Sequence, residues 1–361
     1  WQLWQRPGHR AICPVCRGKL TMPMWDAIIV GAGPAGISAA MAVLRAGGKP
    51  LLIDRKTFPR EKACAGMLSA AAVSAAPFHP GPVICAVSSG ILWREHGKDT
   101  HLHEQNLLTH RIELDDFMFR QAMAAGVAFR QVPELIKLRQ TAHEVRLTTG
   151  QRELLVARHV IAADGANSLI RRLLNLPSVG HDAFAIEVDL ALPADAKTRP
   201  ALFDYDFVTG GYGWHFPKGN TSNLGIAFMH GLHGNIATAL DSFIQCHGKE
   251  ALQQGRSRGA AIGSYGPDTC LGIERTLLCG DAAGLADPWT GEGISMACKS
   301  GHAAGTAVMR YQQEQQLQQL QQQSPHVKSA LLHYQEMLSP LLDQLKKRQQ
   351  QATPMSYGST T

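Results

Sequence analysis

No apolar run in the 361 residues reaches the length of a membrane span, so the sequence offers no transmembrane helix. No Lys/Arg-rich block with interleaved aromatics occurs, which argues against nucleic acid as a partner. The formal charge of +6 is mild and spread along the chain, a balance that suits anionic cofactors, phosphorylated substrates or an anionic membrane surface. Residues 1–24 lack the apolar core of a secretory signal. The eight cysteines are not spaced as a disulfide framework, and a chain of this size needs none. A reducing cytoplasm, or the inner face of its membrane, is therefore the expected compartment. Cys13-Pro14-Val15-Cys16 is one CxxC pair, and no second pair follows closely enough to complete four zinc ligands. We read residues 1–23 as a disordered extension, with Met24 as an alternative start. His96, His101, His103 and His110 show no ligand spacing on an expected scaffold and read as a solvated loop, so no metal is expected. Internal repeats are absent too. What remains, with 45% apolar and 18% charged residues, is an ordinary globular enzyme with a sizeable core.

The strongest positive signal opens at Trp25. Trp25 to Val30 is a short apolar run that reads as a buried parallel strand. Gly31-Ala-Gly33-Pro34-Ala35-Gly36 follows at once, then an Ala/Leu-rich helix to about Ala46, then the strand Pro50 to Asp54. A GxGxxG alone is weak, but strand, glycine turn, helix, strand and terminal acid form a dinucleotide-binding βαβ unit. Gly31 permits the tight turn, Gly33 lets backbone approach a pyrophosphate, and Gly36 lets helix pack on strand. Pro34 and Ala35 open the helix, whose free N–H groups favour phosphate. Asp54, 18 residues beyond Gly36, is placed for ribose hydroxyls, with Arg55 beside it.

Further along, Arg111 to Ala125 reads as a helix, Phe184 to Ile226 as mixed strands, and Gly293 to Arg310 as another helix. Gln312 to Gln323 is low in complexity, either helical surface or disordered. Pro325 to Gln350 carries a Leu/Met face, with Lys346, Lys347 and Arg348 near its end.

Two later stretches distinguish FAD from NAD. Asp164-Gly165, with Asn167, Ser168 and Arg171, resembles the DG motif of flavoprotein monooxygenases and their reductase relatives. Gly280-Asp281-Ala-Ala-Gly284, continued by Pro288 to Ile294, resembles their GD motif. The resemblance implies FAD, with Asp281 on a ribityl hydroxyl. The helix opened by Gly291, Gly293 and Ile294 would then aim N–H groups at the flavin N1–C2=O edge.

Phe58-Pro59-Arg60-Glu-Lys62-Ala-Cys64-Ala65-Gly66-Met-Leu68 and Tyr212-Gly-Trp214-His-Phe216-Pro217-Lys218 narrow this further. Both stretches resemble geranylgeranyl reductases, as does Arg111 followed by Asp115. Ala65 departs from the pattern, standing where the family has a glycine against the flavin ring. The resemblance spans about residues 25–310 and implies an α/β fold. A Rossmann-like, three-layer FAD domain (24–75, 105–175 and 270–310) would interleave with a mostly antiparallel substrate domain (76–104 and 176–269). Residues 311–361 would form a helical or Gln-rich tail, able to dock on a membrane or partner protein. A monomer is expected.

The implied activity is hydride transfer from reduced flavin to a C=C bond of an apolar, prenyl-type substrate. NADPH or NADH would serve as a transient donor, because no second GxGxxG offers a separate nicotinamide domain. Cys64 reads as a proton donor near the flavin or as a small buried residue. Tyr212 and Trp214 read as an aromatic wall over the substrate, or as plain core. His215 is a weaker acid–base candidate. A single-component FAD monooxygenase, acting on an aromatic molecule or on a side chain of a partner protein, shares the three FAD motifs and is the alternative. Tryptophan halogenases use W-x-W-x-I-P, which Tyr212 and Phe216 do not match. A non-catalytic flavoprotein scaffold is the remaining reading.

Overall fold

The structure is a computed structural model that describes residues 24–179, 183–193, 199–229, 235–249, 251–321 and 327–352. The 1–23 extension, with Cys13 and Cys16, lies outside the described residues.

The apolar run at Trp25 becomes the strand Met24–Val30, whose last four residues are buried. It lies at the centre of a parallel array. Leu154–Ala162 and then Thr276–Leu278 lie on one side, and Pro50–Asp54 and Ala128–Gln131 on the other. Val145–Thr149 joins this sheet antiparallel to Leu154–Ala162, and Leu135–Gln140 pairs with Val145–Thr149 as the other arm of a hairpin. A second sheet is almost wholly antiparallel. Its order is Gln253–Gln254, Phe184–Ala191, Thr221–Phe228, Gly211–Lys218, Ala201–Asp204, Ile91–Glu95 and Lys98–Leu102. Arg258–Ala261 also pairs with Phe184–Ala191. The chain passes repeatedly between the two sheets, which is the interleaved α/β arrangement expected from the sequence.

The described helices are α1 (Pro34–Arg45), α2 (Ala70–Ala75), α3 (Arg111–Ala124), α4 (Leu169–Leu173), α5 (Ile236–His247), α6 (Ile294–Gln321) and α7 (Ala330–Ala352). In α1, every residue from Pro34 to Val43 is buried, because α6 lies across its small side chains. A Cβ on Gly301 would stand 2.0 Å from the Ala35 carbonyl oxygen, and one on Gly305 would stand 2.5 Å from that of Ala39. Small residues on both helices thus allow the close approach that seats the α1 N-terminus.

The C-terminal region is helical, as the sequence allowed, but it packs on the core. The Gln-rich stretch is helical to Gln321, as the end of α6. Ala330, Tyr334, Leu338, Leu341 and Leu345 recur at helical spacing along α7, and all are buried in the core of the first sheet. Burying each Leu is worth about 1.5–3 kcal/mol. The apolar face offered by the sequence for docking is therefore occupied by the protein's own core. Among the described residues no helix is long and apolar enough to cross a membrane.

Candidate functional site

A cavity of about 690 Å³ runs from the Gly31 turn to the inner face of the second sheet. At its first end, Gly31 has φ +101°, and a Cβ there would meet the Ala163 carbonyl oxygen at 2.3 Å. Only glycine suits that turn. Gly33, Pro34 and Ala35 line the cavity, and no side chain caps the α1 N-terminus. Its first N–H groups thus lack a helical partner. Gly36 does not line the cavity; it sits beneath the turn, where a Cβ would be 1.8 Å from the Gly31 oxygen. Asp54 accepts the Ala32 N–H at 2.8 Å and the Lys56 N–H at 2.9 Å, one on each oxygen. Each oxygen retains a lone pair for a hydroxyl. Arg55 also lines this end.

Arg60 sits between Asp54 and Asp115, its Nη1 3.3 Å from Asp115 Oδ2. Its buried Nε has no hydrogen-bond partner. Arg111 forks onto Asp115 with contacts of 2.9 and 3.1 Å, and the Cys64 side chain lies near it. Burial opposes the Arg111 charge, but Asp115 and Cys64 overcome this and hold the guanidinium above its usual range.

Asp281, Gly291, Gly293 and Ile294 line the middle of the cavity at the α6 N-terminus. Their loop is firmly held. Asp287 is fully buried, and its Oδ1 accepts the N–H groups of Trp289 and Thr290 at 2.9 and 3.0 Å. Its Oδ2 pairs with Arg348 of α7, and Arg348 itself lines the cavity. Ser69 Oγ donates to Glu292 at 2.7 Å, and the Tyr212 hydroxyl donates to the Thr290 carbonyl. Gly284 and Pro288 do not line the cavity; Gly284 packs near Val179, Ser264 and Thr269. Asp164 and Gly165 do line it. The Asp164 carboxylate is spent on α4, however, accepting from Ser168 Oγ and from the N–H groups of Leu169 and Ile170 at 2.6–3.1 Å.

The far end is an apolar chamber. Tyr212, Trp214 and Phe216 alternate on one strand and so share the face that lines the cavity, while His215 points to the other face. Ile91, Trp93, Phe203, Ala227 and Ile262 complete the walls. Burial, then Asp287 and Cys64, pushes the Tyr212 hydroxyl far up, so it stays a neutral donor. Cys64, Ala65 and Gly66 form the rim between the chamber and the Gly291–Ile294 loop, with Ala65 packed against the aromatic cluster. The histidine cluster does not converge on the cavity: His96 caps a hairpin turn with φ +54°, and His101 sits on an exposed strand. Among the described residues no His/Cys/Asp/Glu group could hold a metal ion.

Glu187 was not legible as a site residue. It faces the chamber from Phe184–Ala191 at 2% exposure. Its carboxylate accepts from Arg258 Nε at 3.3 Å and lies near the Cys64 backbone. Lys218 is equally buried nearby, and burial pushes its ammonium down against the pull of Asp189, Cys64, Cys85 and Glu187.

The donor set fits FAD. A glycine turn at a helix N-terminus, with the Arg60 guanidinium beside it offering a buried Nε that has no hydrogen-bond partner, suits a pyrophosphate, Asp54 suits a ribose, and the α6 N-terminus suits the anionic edge of a flavin.

Comparisons agree. Residues 25–197 match the pyridine nucleotide-disulphide oxidoreductase family model. Digeranylgeranylglycerophospholipid reductase 1 of Methanopyrus kandleri is 31% identical over 79% of this chain and 80% of its own. A geranylgeranyl bacteriochlorophyll reductase-like protein from Thermoplasma acidophilum superposes with TM-score 0.70 at 22% identity, covering 93% and 94% of the two chains. The halogenase PltM in complex with FAD superposes at 0.68 with 14% identity, over 91% of this chain and 76% of its own, a likeness of fold. An N-terminal glycine turn, a capped DG segment, a clamped GD loop and a Cys64 rim, on a chain this similar to a prenyl-lipid reductase, identify the protein as an FAD-dependent oxidoreductase of the geranylgeranyl reductase family.

Proposed function

We propose that the protein reduces a C=C bond of an apolar, prenyl-type substrate. The observation that carries this reading is the aromatic chamber. Its walls, from Ile91 and Trp93 to Tyr212, Trp214 and Phe216, are apolar and continue into the loop where the α6 N-terminus would meet the flavin. An isolated alkene has no charge to grip, so an apolar wall must orient it and exclude water. FAD, when bound, would supply the electron pair as hydride. The chain's tasks are binding, orientation and proton supply. Arg60, the α1 N-terminus and Asp54 would hold the pyrophosphate and ribose. Asp281 would take a ribityl hydroxyl, and the Gly291–Ile294 turn would stabilise charge on the reduced ring. Cys64, which lines the cavity at the rim of the chamber, would donate the proton to the second carbon. NADPH or NADH would recharge the flavin in a passing encounter.

Anaerobic incubation of the FAD-loaded protein with dithionite or NADPH and geranylgeranyl diphosphate tests the reading. Product gaining one H₂ per reduced bond is expected. Unchanged substrate, with products forming only when O₂ is admitted, would instead support the monooxygenase.

A further inference from the structure

The reduction consumes one proton for each electron pair, and the chamber offers few groups able to hold it. Among the described residues, Glu187 is the one buried carboxyl group that lines the cavity. Its position is built by strand pairing. Glu187 stands opposite Gly225 in the pair Phe184–Ala191 with Thr221–Phe228, and opposite Arg258 on its other side. Gly225 leaves room for the Trp214 ring, since a Cβ there would sit 2.1 Å from it. Trp214 Nε1 donates to Asn223 Oδ1 at 2.7 Å, and Asn223 Nδ2 approaches Glu187 at 3.4 Å and Asp189 at 2.9 Å. Arg258 bridges Glu187 and Asp189. The Glu187 side chain is 3% exposed, whereas those of Asp189 and Arg258 are each 28% exposed. The network therefore leads from the chamber floor outward to solvent.

Resting on the reductase reading, we propose that Glu187 acts through Cys64 as the site's proton relay. In each turnover the Cys64 thiol gives its proton to the substrate carbanionic carbon as hydride reaches the neighbouring carbon. The Glu187 carboxylic acid then returns a proton to the thiolate, and water at the Asp189–Arg258 rim reprotonates Glu187. One hydride and one proton enter the alkene, and the protein is left unchanged.

The charged groups facing Glu187 are Asp189 on its own strand, Arg258 on Arg258–Ala261 and Lys218 on Gly211–Lys218, while the rim loop brings the Cys64 backbone beside it. Burial raises the Glu187 carboxyl above its ordinary range, while the Cys64 N–H, Arg258 and Lys218 temper the rise. Such a group holds a proton closer to neutrality than a surface glutamate does.

Two readouts test the relay on the full-length FAD-loaded protein. The first is alkylation of Cys64 by iodoacetamide across pH, read by mass spectrometry of its peptide, which needs no turnover. Glu187→Gln should displace this pH profile, and Glu187→Asp should restore it toward wild type. The second is anaerobic single turnover with geranylgeranyl diphosphate, where Glu187→Gln should slow oxidation of the reduced flavin by roughly 10²-fold and Glu187→Asp much less. Superimposable alkylation profiles for wild type and Glu187→Gln, or a Glu187→Asp variant as slow as Glu187→Gln, would overturn the proposal. If wild type itself fails to turn over, the reductase reading falls, while the alkylation profiles still decide whether Glu187 and Cys64 share a proton.

Discussion

Arg348, near the end of α7, pairs with the fully buried Asp287 in the loop that presents Gly291 and Gly293 to the cavity. The last helix thus clamps the segment that would contact the flavin. Arg348→Ala leaves the Asp287 carboxylate buried without its counter-ion. Full loss of a buried partner costs about 3–5 kcal/mol, but Arg348 is 37% exposed, so about 1–2 kcal/mol is the expected loss after solvent screening. FAD titration of the apoprotein and a thermal melt check this. Weaker FAD binding together with a lower Tm is expected, with Arg348→Lys falling between.

Gly33 and Gly36 should separate cofactor binding from folding. A Cβ at Gly33 meets only Arg60 Nη2, at an ordinary 3.5 Å, and otherwise projects where a pyrophosphate would lie. One at Gly36 drives into the Gly31 carbonyl oxygen at 1.8 Å. Gly33→Ala should keep the apoprotein's Tm while weakening FAD at least tenfold. Gly36→Ala should lower the Tm itself. Equal losses of stability in the two variants would refute the assignment of Gly33 to the cofactor.

Local motifs were readable because their chemistry is local. The Gly31 turn and the Asp54 strand end occupy a few consecutive residues whose spacing points to a phosphate cradle, and the Cys64 stretch was legible through its resemblance to geranylgeranyl reductases. Their partners were not readable. Glu187 reaches Cys64 through strand register, Arg348 reaches Asp287 through helix packing across 61 residues, and no motif marks either. The Leu face of α7 carried the right periodicity, but periodicity cannot say whether a face meets the protein's own core or a membrane. At Asp164 the motif was legible while the use of the carboxylate as an α4 cap was not.

Gly225 should control the chamber without touching FAD. Its missing Cβ admits the Trp214 ring, so Gly225→Ala must push the indole from its place or strain the strand. Substrate KM should rise several-fold while FAD affinity stays at the wild-type value. A fall in FAD affinity of the same size would show that the wall and the flavin site are not separable.

His159 should set the acid limit of stability. Burial, then Arg275 and Arg158, pushes its imidazole down to about 3 from the ordinary 6.5. The unfolded chain takes up a proton that the folded one refuses. The neutral ring's stability is therefore intact above about pH 6.5 and is lost as pH falls toward 3, at up to about 1.4 kcal/mol per pH unit. Urea melts between pH 7 and pH 4 should show wild type losing stability faster than His159→Gln. Parallel losses would contradict this.

On the proposed function a prenyl alkene, and not O₂, accepts the electrons of the reduced cofactor. The most direct measurement is stopped-flow absorbance of the dithionite-reduced protein mixed anaerobically with geranylgeranyl diphosphate. Return of the oxidised flavin spectrum in step with saturated product is the predicted result. A spectrum that stays reduced until O₂ is admitted, followed by an oxygenated product, would contradict it.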